Sequence, residues 1–129
     1  MDIPPDSPLA GMMQSAYAER SPDGVEHFGD IVRKTFAMFA TEPTMTTEDL
    51  ARITAPTLVV VGEDDVIELS HTCALYESLP AGQLAVIPAA SHAVPMEKPA
   101  EVARIIGDFL AGDAAPQTFM AVRRSAPHE

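Results

Sequence analysis

The chain has 129 residues, one domain's worth, and at 47% hydrophobic it is too apolar to be disordered by composition. A formal net charge of −11 leaves no material for a broad basic patch, which argues against nucleic acid or an anionic membrane surface as partner. The lone cysteine, Cys73, excludes an internal disulfide and a cysteine metal cage, in keeping with a reducing compartment.

Residues 1–10 contain three prolines and read as an extended lead-in, with neither the positive charge nor the apolar stretch of a signal peptide. No apolar run approaches the roughly 20 residues that cross a bilayer, so a cytoplasmic location is the default expectation. A short helix is expected over Gly11–Arg20, on weak periodicity from Met12, Met13, Ala16 and Tyr17. Ser21-Pro22-Asp23-Gly24 is a turn, and Ser21 before Pro22 also suits a helix start. From Val25 the apolar positions Phe28, Ile31, Val32, Thr35, Phe36 and Phe39 follow helical spacing with one wide apolar face, and Pro43 closes the segment. Thr46 or Thr47 caps a further short helix to about Ile53, with Glu48 and Asp49 suited to its positive end.

Thr57-Leu58-Val59-Val60-Val61 is β-branched and apolar without alternation, the signature of a strand buried on both faces of a parallel sheet. It breaks at Gly62 into Glu63-Asp64-Asp65. Ser70 is a candidate cap for the next helix, which turns Ala74, Leu75 and Leu79 inward and stops at Pro80. Leu84–Ile87 is a second strand, broken at Pro88 and followed by Ser91-His92. Pro99 opens a last helix whose stripe is Val102, Ile105, Ile106, Phe109 and Leu110, with Gly112 as its stop. Residues 113–129 read as a loose tail, in which Phe119-Met120-Ala121-Val122 is a possible docking segment. The fold class is α/β, a parallel βαβ unit plus a C-terminal helix. Residues 1–53 form a helical segment, 54–112 the α/β segment and 113–129 the tail. Two strands do not protect two faces and two edges, so the sheet needs neighbours from another chain, such as a copy of this one, or from a larger protein.

In open α/β sheets working groups gather beyond the carboxyl ends of strands. Asp65 follows the first strand and His92 the second. Neighbouring strand ends lie about 5 Å apart. A carboxylate there can accept from one ring nitrogen of His92, fixing its tautomer and stabilising the imidazolium formed when the other nitrogen takes a proton.

The span from about Leu50 to Leu110 resembles the C-terminal third of an α/β-hydrolase. The resemblance rests on Pro56 to Asp65, Leu84 to Pro88, Ser91-His92, Glu97-Lys98-Pro99 and the last amphipathic helix. It implies a partial α/β-hydrolase fold, with the residues before Leu50 standing where the family carries its variable helical cap. It also implies hydrolysis of an ester, lactone or similar small-molecule bond by a Ser-Asp-His mechanism without cofactor or metal. Asp65 would orient the base and His92 would be the base. Phe36, Met38, Phe39, Val66, Val94 and Met96 would be pocket residues, with Pro95 near them. The family's Gly-x-Ser-x-Gly elbow is absent from these 129 residues, as is the loop that donates oxyanion-hole amides. Ser91, Ser70 and Cys73 lack the setting of an elbow. The expectation is therefore a fragment inactive by itself, or a non-catalytic remnant that pairs with another chain through its sheet edge.

Plainer readings stand beside these. Asp65 is otherwise a solvated loop acid and His92 a loop histidine bonded to backbone. Glu63 and Asp64 are loop acids or helpers of Asp65. Glu63, Asp64, Asp65 and His71 would suit Mg²⁺, although no phosphate-binding glycine loop accompanies them. A receiver-like signalling domain also carries paired acids after a strand, but needs a five-strand sheet. His27 and His71 read as surface residues and His128 as part of the tail. Met12, Met13, Met38 and Met96 read as core filler.

Overall fold

Ser7 opens the first helix of the computed structural model, which describes residues 7–112. The expected tail, with Phe119–Val122 and His128, lies outside the described residues. The Ser7 hydroxyl accepts from the Ala10 amide and Pro8 takes the first helical position, so α1 (Pro8–Arg20) begins inside the segment read as extended. Ser21 ends this helix rather than starting the next, its amide donating to the Tyr17 carbonyl. A 3-10 turn over Val25–His27 leads into α2 (Phe28–Phe39). Phe28, Val32, Thr35 and Phe36 are half-buried, while Val25, Ile31 and Phe39 at the flanks of the same face are exposed. The Tyr17 ring packs on Phe28 with centroids 5.6 Å apart. These helices belong to one compact unit, Met1–Met45, and the α/β elements to a second that begins at Thr46.

The second unit opens on a capping box. Thr46 accepts from the Asp49 amide, and the Asp49 carboxylate accepts from the Thr46 amide, fixing α3 (Thr47–Ala51). α3 packs on α4 (Leu69–Ser78), so it keeps company with the sheet unit although the sequence reading grouped it with the helical segment. β1 (Thr57–Gly62) and β2 (Gly82–Ile87) pair in parallel, in register from Thr57 against Gly82 to Gly62 against Ile87. Among the described residues these two strands are the whole sheet. β1 is half-exposed until Val61 and Gly62, not buried throughout, because each strand has a neighbour on one side alone.

Glu68 takes the N-cap position of α4 without a side-chain capping bond, and Ser70, inside the first turn, donates to its carboxylate at 3.3 Å. Its covered face is Thr72, Leu75, Tyr76 and Leu79, spaced i, i+3, i+4, i+7, and the expected inward residue Ala74 is exposed. A four-residue helix, α5 (Val94–Glu97), precedes α6 (Pro99–Ala111). α6 covers Val102, with Ile105 and Phe109 partly buried, while Ile106 and Leu110 face outward at 40% and 74% exposure. Ile87, Ala90, Val94 and Val102 form the core cluster, with Val60, Ala85 and Ile105 packed on it. Ala90 and Val94 therefore anchor the loop carrying His92 on both sides. No helix among the described residues is long and apolar enough to cross a membrane.

Candidate active site

The two strands end level with each other, and their loops continue to bond. The Glu63 amide donates to the Ile87 carbonyl at 2.9 Å and the Asp64 amide to the Ala90 carbonyl at 3.0 Å. The Glu63 carboxylate accepts from the Ala89 amide at 3.0 Å, across the turn where Ala89 holds a left-handed φ of 50°. Gly62 makes this closeness possible. A Cβ built on it would strike the backbone carbonyl oxygens of Ala90 and Ser91.

The stitched loops bring Asp65 and His92 together. His92 Nδ1 lies 2.9 Å from Asp65 Oδ1. The same oxygen accepts from the Ile67 amide at 2.9 Å, an Asx-type turn that fixes the carboxylate. An ionised carboxylate only accepts, so Nδ1 carries the proton and, in the neutral ring, Nε2 is the basic nitrogen. Asp65 is the sheltered member of the pair, with 8% of its side chain exposed against 62% for His92. Burial works to raise the Asp65 pKa. The bonds from the Ile67 amide and the His92 ring, the charge of His92 and a bond from the Gly62 amide outweigh it, holding the carboxyl below its ordinary range. Asp65 is therefore ionised near neutrality, the state that can polarise an imidazole.

Beyond His92 the loop is tied down again. Glu97 accepts from the Ser91 amide at 2.7 Å and from the Ser91 hydroxyl at 2.8 Å, and Ser91 Oγ accepts from the Ala93 amide at 3.3 Å. The Ser91 amide first, then its hydroxyl, with Lys98 a smaller influence, hold the Glu97 carboxyl below the usual range. Glu63, expected as a loop acid or a helper of Asp65, bonds Ala89, and the contacts of Gly62 and Glu97 were not anticipated. The available signals were a glycine at a strand end and an acid six residues beyond Ser91.

The expected pocket residues divide between the two units. Val94 is buried in the core cluster at 5% exposure and so packs beneath the loop, away from any open surface. Val66 and Met96 are exposed on the loops after Asp65 and His92. Phe36 is half-buried on α2, its ring 6.2 Å from that of the exposed Phe39, and Met38 is exposed. Among the described residues no group of three His, Cys, Asp or Glu side chains is placed to hold a metal. Asp65 instead serves His92 and Ile67, and Glu63 serves Ala89.

A parallel strand pair with an acid after one strand and a histidine after the next is the arrangement of a known class. A sequence profile described as "Alpha/beta hydrolase family" matches residues 3–105. The chain belongs to the α/β-hydrolase family. It is 35% identical over 65 residues to the mouse protein "Monoacylglycerol lipase ABHD6", a match covering 50% of this chain and 19% of that one. The rat protein of the same name is 34% identical over 65 residues, with the same coverage. The chain thus spans well under two thirds of the length of these curated relatives. Among solved structures, a "Serine Hydrolase Involved in the Carbazole Degradation (CarC enzyme)" superposes with a TM-score of 0.61 at 20% identity, over 78% of this chain and 39% of that one, a likeness of fold.

Proposed function

We propose that Asp65 and His92 are the acid and base of a Ser-Asp-His hydrolytic site acting on an ester, lactone or similar bond of a small molecule. The observation that carries this reading is the 2.9 Å bond from the His92 ring to a sheltered carboxylate, on a ring whose remainder is open. In the reaction, Nε2 of His92 takes the proton of an attacking serine hydroxyl as the serine oxygen bonds to the carbonyl carbon. The imidazolium, stabilised by Asp65, returns that proton to the leaving alkoxide, and water repeats the cycle on the acyl-serine. The serine and the oxyanion-hole amides come from polypeptide outside these 129 residues, since no Gly-x-Ser-x-Gly occurs within them. Similarity to two lipases favours an ester as the bond broken.

The test extends the chain with the polypeptide encoded directly upstream and assays a p-nitrophenyl ester. Turnover is expected in the extended protein and not in the 129-residue chain, and H92A abolishes it. Turnover that survives H92A, or an upstream sequence without the serine elbow, overturns the reading.

A second reading has its own observation. The sheet ends at β1 on one side and β2 on the other among the described residues, leaving two strand edges without a strand neighbour. Such edges pair with other chains, so a non-catalytic partner-binding role is the alternative.

A further inference from the structure

We infer that Glu97 is a positioning residue for His92: by gripping Ser91 it sets the direction and tautomer in which the imidazole meets Asp65. The inference rests on the acid–base reading above and adds the group that keeps the base in place. A ring with 62% of its side chain exposed has little packing to fix its rotamer. Its aim must come from the backbone on either side. Before His92, the amide and hydroxyl of Ser91 both end on the Glu97 carboxylate, at 2.7 and 2.8 Å. After it, the Ala93 amide ends on the same Ser91 hydroxyl at 3.3 Å. One carboxylate therefore governs both flanks, directly or through one oxygen.

Glu97 is itself well founded. It closes α5, whose first residue Val94 is buried in the core, and its amide donates to the Ala93 carbonyl at 3.1 Å. Bonds to an ionised acceptor are roughly twice as strong as neutral ones. The low carboxyl pKa keeps that acceptor charged throughout the range in which His92 would act as a base. Glu101, also acidic but in the first turn of α6, supplies a natural comparison.

The experiment uses the full 129-residue chain with ¹⁵N-labelled imidazoles, His92 being assigned by its disappearance in H92A. Ring nitrogen shifts, read above the titration of the histidines, give the tautomer. The wild-type chain is expected to hold His92 as the Nδ1–H form. E97A loses that preference and reverts to the mixture of an unrestrained histidine. E97Q retains most of it, because its amide oxygen accepts from the Ser91 amide and its NH₂ donates to the hydroxyl. S91A, which keeps the amide bond alone, falls between, and E101A matches wild type. Circular dichroism separates local release from unfolding; if E97A does not fold, S91A decides, and wild-type behaviour there overturns the inference. An E97A chain that keeps the Nδ1–H form overturns the role of Glu97 and leaves the Asp65–His92 pair standing. A wild-type His92 in the Nε2–H form, unaffected by D65N, removes the pair itself and the inference with it.

Discussion

Asp65 keeps its charge in a place where burial opposes it, and that gives the residue a pH signature. Its folded pKa lies below that of an ordinary aspartate. A depressed carboxyl contributes stability that is present above the unfolded pKa and lost as pH falls through the folded one. D65N should therefore be less stable than wild type at pH 7, with the gap narrowing as pH falls below about 4, the ordinary aspartate range, and on through the depressed folded pKa. Urea midpoints at pH 7 and pH 3 check this; a gap as wide at pH 3 as at pH 7 contradicts it. Under the proposed hydrolytic reading, the same substitution in the upstream-extended protein should lower kcat by on the order of 10⁴-fold, the size seen when a triad loses its acid. This pair was legible in the sequence because each residue lies a few positions beyond a strand end, where parallel pairing leaves little choice. The grip of Glu97 on Ser91 and of Glu63 on Ala89 was not. Each depends on the path of a loop, and the second joins residues 26 apart.

The elements were read best where one signal dominated. The apolar runs of β1 and β2 and the Pro99 start of α6 stood out from their neighbours. α5 did not, being four residues with a proline inside, and α4 was set two residues late because Ser70 is a better cap by type than Glu68, which holds the position without a side-chain capping bond. The inward face of α4 was missed in part because Thr72 and Tyr76 carry hydroxyls that hide their burial. On α2 and α6 the apolar stripes are wider than what covers them: Phe39 is 62% and Leu110 74% exposed. Periodicity reports which face is apolar and not how much of it meets a neighbour. The close approach at the end of β1 makes G62A the sharpest test of the element pair. The new methyl meets backbone carbonyls, which cannot swing aside as a side chain would. The substitution should cost about 1–3 kcal/mol, the usual range for overpacking. It should also uncouple His92 from Asp65, measured as a lower urea midpoint together with loss of the Nδ1–H tautomer. A G62A chain that keeps the tautomer would show that the loops do not need that proximity.

Across the second unit the core is thin. Ile87, Ala90, Val94 and Val102 are its centre, and they flank the histidine loop, Ala90 lying in the loop itself and Val94 opening α5 directly after it. A two-stranded sheet is marginal by itself. With β-edges open and Val86 39% exposed on β2, the chain should associate as its concentration rises. Sedimentation velocity over a hundredfold dilution series checks this, with V86K expected to weaken association; a strict monomer throughout would remove the partner-binding alternative. The expectation of further sheet rests on β1 alone, and a strand edge carries no record of which chain completes it. The stitched strand ends have a last consequence, for how the sequence can change in length. One residue inserted between Gly62 and Asp65, or between Ile87 and His92, puts the loop bonds of Glu63 and Asp64 to Ile87, Ala89 and Ala90 out of step and carries the Asp65 or His92 side chain away from the other. Deletions there do the same, so these two stretches should hold a fixed number of residues in related sequences. The exposed connection at residues 40–46 can lengthen or shorten without moving either side chain.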